Sequence, residues 1–135
     1  MTPDQIAKAN TEHSHQAAFF CECQRLKKTH PCLEFIHAIP NGGERNIAVA
    51  SRLKAEGVKA GCPDVFLPFP RIKDNQVQYH GLYIEFKRPK SEGKAIGKLS
   101  PEQEKWRDFL VLNNFSHFVA YDYLQAVEVL LRYLN

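Results

Sequence analysis

Apolar and polar residues alternate most regularly at residues 82–87, where the order is Leu-Tyr-Ile-Glu-Phe-Lys. A period of two is typical of a strand with one apolar and one polar face. The pattern therefore predicts that Glu85 and Lys87 point to the same side of this strand, about 7 Å apart. A turn with glycine and proline precedes a second apolar run, which begins after Asp64. If these two strands pair, Asp64 lies beside Glu85.

Periods of three to four residues and helix-start signals predict the remaining elements. The predicted helices lie at 2–9, 11–28 and 45–56, with two more that begin at Ser100 and Asp122. The predicted strands lie at 32–39, after Asp64, at 76–80, at 82–87 and at 117–121. We expect the strand at 76–80 to form the returning arm of a hairpin and to lead into the strand at 82–87. This order predicts a three-layer α/β fold, with a mixed sheet of about four strands flanked by helices.

Apolar stripes on the helices are expected to face the sheet. On the strand at 32–39 we expect Leu33, Phe35 and His37 to share a face. In the third helix the stripe comprises Ile47, Val49 or Ala50, and Leu53. In the helix after Ser100 it comprises Trp106, Phe109 or Leu110, and Asn113.

Two polar residues, Glu12 and Gln103, stand at the N-terminal ends of helical stripes whose other residues are expected to face inward. Glu12 either lies in water at a helix end or faces a functional site. Gln103 has the spacing of a capping box with Ser100, or it reaches the same site. We treat these two uses of Gln103 as competing and favour the site.

A chain of 135 residues fits one domain, which we place at 1–135. It has no apolar run long enough for a membrane span, and its first residues lack the pattern of a secretion signal. We therefore expect a cytoplasmic protein. In a cytoplasmic protein we expect its four cysteines to be reduced, and their spacing matches no common zinc pattern.

The net charge of +3 permits nucleic-acid binding without arguing for it. Local clustering is more informative, because the segment 88–98 follows the strand at 82–87 directly and has one acidic residue. Its four basic residues are Arg88, Lys90, Lys94 and Lys98. The segment is either a solvated linker or a mobile loop that contacts a nucleic-acid backbone.

Two carboxylates with an adjacent lysine suit hydrolysis of a phosphodiester. Asp64 and Glu85 offer the oxygen ligands that Mg²⁺ or Mn²⁺ prefers. Such a cation lowers the pKa of water and neutralises charge on phosphate, while Lys87 can orient or deprotonate the water or stabilise the transition state. Spacing alone fits equally a solvated strand face with an ordinary Glu–Lys pair.

Pro63-Asp64 followed by Glu85-Phe86-Lys87 matches the PD-(D/E)xK signature of nucleases. A longer pattern, from about residue 12 to the C-terminus, resembles a stand-alone VRR-NUC domain. That pattern comprises the segments 39–43, 53–61, 63–64, 81–87 and 99–106, together with Arg45.

The resemblance implies a PD-(D/E)xK nuclease-like fold and a set of residue roles. Asp64 and Glu85 are expected to hold Mg²⁺ or Mn²⁺, with the backbone carbonyl of Phe86 as a third protein ligand. Lys87 would serve the attacking water, and Glu12 and Gln103 would tune the site. The residues expected to contact DNA are Asn41, Gly42, Gly43, Arg45, Arg88, Lys90, Lys94 and Lys98.

The implied function is a metal-dependent, structure-selective DNA endonuclease. Stand-alone members resemble Holliday junction resolvases of DNA repair, which predicts branched DNA as the partner and a homodimer with two sites. One alternative is a flap- or restriction-type nuclease. Another is a DNA-junction-binding protein that acts mainly within a larger assembly.

Overall fold

The computed structural model describes residues 1–40, 46–91 and 93–135. Its elements, in chain order, are α1 (Pro3–Ala7), α2 (Glu12–Leu26), a 3-10 helix (Pro31–Phe35), β1 (His37–Ala38), α3 (Ile47–Ala55), β2 (Val65–Leu67), β3 (Arg71–Lys73), β4 (Gln76–Tyr79), β5 (Leu82–Phe86), α4 (Pro101–Leu112), β6 (Ser116–Ala120) and α5 (Tyr123–Leu134).

Helix starts follow the local capping signals in the sequence. The side chains of Thr2 and Ser100 each accept a hydrogen bond from the backbone N–H three residues later, and both form complete capping boxes. Asp122 caps α5 by accepting from the Gln125 N–H at 2.7 Å. Each cap satisfies a backbone donor that the first helical turn leaves unpaired.

A mixed sheet with the order β1-β2-β5-β6 forms the centre of the fold. Strand β5 pairs antiparallel with β2, with Val65 opposite Ile84, and parallel with β6. This register places Asp64, the residue before β2, opposite Glu85. The predicted mixed sheet of about four strands is confirmed.

The two faces of β5 meet different helices. Phe86 points to a buried layer in which its ring packs 5.7 Å, between centroids, from Phe19 of α2. Helix α5 packs beside α2 in this layer. Glu85 points to the opposite face, where Gln103 of α4 reaches it. The sheet therefore lies between two helical layers, as predicted. None of the described helices combines the length and apolar character needed to cross a membrane.

The predicted strand at 32–39 is wrong over most of its length. A 3-10 helix occupies Pro31–Phe35, and only His37–Ala38 form a strand. Pro31 stands at the first position of the 3-10 helix, where its fixed φ suits a helical turn. Of the three residues expected to share a face, Leu33 is buried but Phe35 and His37 are exposed.

The predicted hairpin is also wrong in its pairing. Strand β4 pairs with β3, a strand that the sequence analysis missed, in a separate two-stranded sheet. Asp74 and Asn75 join β3 and β4 with positive φ angles of 53° and 61°. Two central residues with positive φ are typical of a type I′ turn, whose twist suits a tight hairpin.

The stripe predicted for α3 does not face the core, and the stripe predicted for α4 does so only at Leu110. Helix α3 has no buried residue, and its Ile47 is 87% exposed. In α4 only Leu110 is buried, whereas Phe109 is 61% exposed. Successive helical residues are rotated by about 100°, so a buried Leu110 directs the preceding Phe109 away from the sheet.

Candidate active site

Asp64 lies where β2 begins and is held on both sides by backbone. Its carbonyl oxygen accepts a hydrogen bond from the Ile39 N–H at 2.7 Å. Its side-chain Oδ2 accepts from the Phe86 N–H, also at 2.7 Å. The carboxylate thus takes the place of the next backbone acceptor in the β2–β5 ladder. The prediction that strand pairing brings Asp64 beside Glu85 is confirmed.

Glu85 is an acid buried at the centre of the sheet, with 2% of its surface exposed. Burial raises the pKa of Glu85 to about 9, and the Asp64 carboxylate acts in the same direction. The Lys87 ammonium lowers this pKa. One side-chain oxygen, Oε1, accepts a hydrogen bond from Gln103, whereas no described group donates to Oε2. A hydrogen bond between Glu85 and Asp64 requires a proton on one of the two carboxyls, and this bond also raises the pKa of Glu85. Two charged carboxylates cannot bond to each other, so Oε2 calls for a proton or a cation.

Gln103 performs both uses that we had treated as competing. Its Oε1 accepts from the Ser100 N–H at 2.9 Å, which closes the capping box of α4. Its Nε2 donates to Glu85 Oε1 at 2.7 Å. The expectation of competition is wrong because an amide carries an acceptor and two donors on separate atoms.

These side chains border an open cleft of about 210 Å³. Its lining comprises Glu12, Ala60, Gly61, Asp64, Glu85, Ser100, Glu102 and Gln103. Glu12 stands in the first turn of α2, and its charge adds to the rise in the pKa of Glu85. Glu102 was not among the residues predicted for the site. Its position beside Gln103, in the first turn of a helix expected to start at the site, was the available signal.

Gly61 allows the start of α4 to come close to the cleft. Its φ is +84°, and a Cβ atom at this position would lie 2.6 Å from the backbone carbon of Glu102. A side chain would therefore clash with the first turn of α4. The glycine helps to keep Gln103 within reach of Glu85.

Lys87 follows β5 and remains on the Glu85 side of the strand by alternation. Its N–H donates to the Ala120 carbonyl of the β6 edge at 2.9 Å, and its side chain is half-buried. By the same alternation, the Phe86 carbonyl lies on the side of its own N–H, toward Asp64. The four predicted site residues Asp64, Glu85, Phe86 and Lys87 thus lie at one end of the β2–β5 pair.

The basic segment at 88–98 folds back on itself. The Arg88 guanidinium donates to the Ala95 carbonyl at 2.8 and 3.2 Å, and the Gly97 N–H donates to the Arg88 carbonyl at 3.0 Å. Lys90, Lys94 and Lys98 are exposed. The other predicted DNA-binding residues, Asn41, Gly42, Gly43 and Arg45, lie outside the described residues.

The donor set fits a hard divalent cation with few protein ligands. In the described part of the chain, no group of three or more histidine, cysteine, aspartate or glutamate side chains could hold a metal ion. Two carboxylates and the Phe86 carbonyl remain, and Mg²⁺ commonly keeps several waters beside one or two carboxylates. The acceptor Glu85 Oε2, which lacks a donor, also fits a cation.

Comparisons with known proteins agree with this geometry. The family model described as VRR-NUC domain matches residues 2–122. A solved structure described as "VRR_NUC domain protein" is 28% identical, with a TM-score of 0.71, and the match covers 92% of this chain and 88% of that one. A search of curated proteins gives no match. The chain belongs to the VRR-NUC domain family and is a nuclease of the PD-(D/E)xK type.

Proposed function

We propose that the protein is a metal-dependent endonuclease that cuts branched DNA as a homodimer, in the manner of a Holliday junction resolvase. The observation that supports this best is the state of Glu85. The fold buries this acid against a second carboxylate and leaves Oε2 without a donor. A buried acceptor of this kind is costly unless a proton or a cation occupies the site. Asp64 and Glu85 could hold a divalent cation, whose charge would offset their repulsion.

The chain's own residues then have distinct roles. When bound, Mg²⁺ or Mn²⁺ would lower the pKa of water and neutralise charge on the phosphate. Gln103 fixes Glu85 Oε1 and so directs Oε2 toward Asp64. Lys87 is half-buried beside these acids, where its ammonium can orient the attacking water or bind a phosphate oxygen. Glu12 borders the same cleft and is a second acceptor for water at the site.

We propose a branched substrate and a dimer because a four-way junction must be cut in two strands. One chain carries one cleft, whereas symmetric cutting of a four-way junction needs two. A two-fold dimer supplies two equivalent clefts. The exposed Lys90, Lys94 and Lys98 follow the catalytic strand and can bind phosphates without reading sequence. This combination favours recognition of DNA shape.

The test compares cleavage of a four-way junction, a flap and a linear duplex in Mn²⁺. We expect the wild type to cut the junction, and Asp64→Asn and Lys87→Ala to lose about 10²-fold or more of the rate. The matched control is Asp108→Asn, which alters an exposed acid of α4 that pairs with Arg107. Light scattering measures the oligomeric state, for which we expect a dimer.

Each other outcome rejects a defined part of the proposal. Cutting that survives in Asp64→Asn rejects the assigned site. Preferential cutting of flaps or linear duplex favours the flap- or restriction-type nuclease. Tight junction binding without metal-dependent cleavage favours a junction-binding protein. A monomer that makes paired cuts rejects the dimer.

A further inference from the structure

A second groove, of about 410 Å³, lies beside the catalytic cleft and shares Ala60 and Glu102 with it. Lys59, Lys105, Trp106 and Phe109 form the rest of its lining. We propose that this groove is a nucleobase subsite, in which an unpaired base next to the scissile phosphate stacks on the two aromatic rings. The proposal rests on the proposed function and names the feature of the DNA that the site selects.

The aromatic rings are available and held in place. Phe109 is 61% exposed on α4, although a large apolar side chain is normally buried. The Trp106 indole N–H donates to the Ala60 carbonyl at 3.1 Å, which fixes the plane of the ring. Neither ring stacks on another aromatic ring among the residues that the structure describes. Phe109 therefore presents an exposed ring to the groove, which the half-buried Trp106 also lines.

The charges on the rim favour a nucleotide over other occupants. Lys59 and Lys105 are exposed beside the rings and can bind the phosphates that flank a stacked base. Glu102 is the one acid in the lining, and it stands at the boundary with the cleft. A second copy docked by this patch across a two-fold axis would bring the same two lysines toward each other. An uncharged apolar partner would leave both lysines without a role.

Continuity with the cleft sets which base can enter. Because Ala60 and Glu102 border both spaces, a strand whose phosphate lies at Asp64 and Glu85 can extend into the groove. Bases inside a duplex are already stacked and paired, so removing one from the duplex is costly. An unpaired base at a branch, gap or flap avoids that cost. The groove therefore selects DNA with an unpaired base beside the cut.

The experiment measures binding in EDTA, so that cleavage does not contribute. The probe is a DNA duplex with a one-nucleotide bulge of 2-aminopurine, whose fluorescence is quenched by stacking, and the reference is the fully paired duplex. We expect the wild type and Phe109→Tyr to quench the probe. We expect Phe109→Leu and Phe109→Ala to reduce the quenching, because only Trp106 then remains to stack, and to bind the bulged DNA about 5- to 150-fold more weakly. Leu124→Ala, which alters an equally exposed residue of α5, should match the wild type.

The subsite is rejected if Phe109→Leu retains the affinity and quenching of the wild type, because leucine preserves apolar contact without stacking. It is also rejected if the Phe109 variants lose affinity for both DNAs equally. Conversion of a dimer to a monomer by Phe109→Ala would instead make this face an interface between copies. A wild type that cuts DNA with no effect of Phe109 overturns only the subsite. A wild type that neither binds nor cuts DNA overturns the proposed function as well.

Discussion

Glu85 should reduce the stability of the metal-free protein, so we predict that Glu85→Gln is more stable than the wild type while losing nuclease activity. The pKa of Glu85 is raised from 4.5 to about 9, mainly by burial. The unfolded chain releases this proton above pH 4.5, whereas the folded chain retains it. Each pH unit above 4.5 then costs about 1.4 kcal/mol, which gives roughly 3 kcal/mol at pH 7.

Because the pKa of Glu85 is raised on folding, the stability difference between Glu85→Gln and the wild type depends on pH in a defined direction. The free-energy cost of keeping Glu85 protonated in the folded chain is absent below pH 4.5, grows as the pH rises, and is constant above about 9. Glutamine has no proton to lose and keeps both polar contacts, since its oxygen can accept from Gln103 and its amide can donate to Asp64. The assay is urea unfolding in EDTA at pH 5 and 7. We expect the advantage of Glu85→Gln to fall from roughly 3 to under about 1 kcal/mol as the pH falls.

The matched control is Glu102→Gln, which changes an exposed acid of the same cleft in the first turn of α4. It should lose a few tenths of a kcal/mol, because an acid there favours the helix dipole. Mn²⁺ should raise the melting temperature of the wild type but not of Glu85→Gln. The prediction is contradicted if the unfolding free energy of Glu85→Gln is no higher than that of the wild type, or if the difference between them does not change with pH.

Three further predictions concern Gly61, His15 and Gln103. Gly61→Ala should lose about 2 kcal/mol or more in urea unfolding, because it combines a positive φ with a clash against α4. Burial lowers the pKa of His15 below 6.5, so the unfolding free energy should fall as the pH drops below about 6.5, and less steeply in His15→Gln. Gln103→Glu keeps the acceptor for the helix cap but loses the donor to Glu85. We expect at least about ten-fold slower cutting, with hydrogen exchange at Ser100 unchanged.

The parts of the fold that the sequence predicts well depend on residues close in the chain. The caps at Thr2, Ser100 and Asp122 each join residues three positions apart. The alternation at residues 82–87 likewise predicts which side chains share a face. One assumption about strand pairing was then enough to place Asp64 opposite Glu85.

The errors, and the alternatives left open, concern features that a distant partner decides. Whether Phe109 or Leu110 faces inward depends on how α4 lies on the sheet, which a stripe two residues wide does not reveal. The short apolar segment at 32–39 fits a strand or a helical turn equally well. The strand at 76–80 was expected to return along the strand after Asp64, but as β4 it pairs with β3 instead. Glu102 was missed because an acid in the first turn is equally typical of a solvated helix start, and its position beside Gln103 was the one signal that favoured the cleft.

The side chains of the site also complete the secondary structure around it. Asp64 satisfies the Phe86 N–H where the β2–β5 ladder ends, and Gln103 satisfies the Ser100 N–H where α4 begins. Bonds that the fold requires therefore hold both groups in position before any ligand binds, which is the condition for a preorganised site. Glu85 is different, because its Oε2 is buried without a donor. Among the described residues, it is the one buried side-chain atom of this kind, and it lies where a cation would act. For this reason, replacing the ionisable carboxyl of Glu85 with an amide should raise stability and abolish activity together.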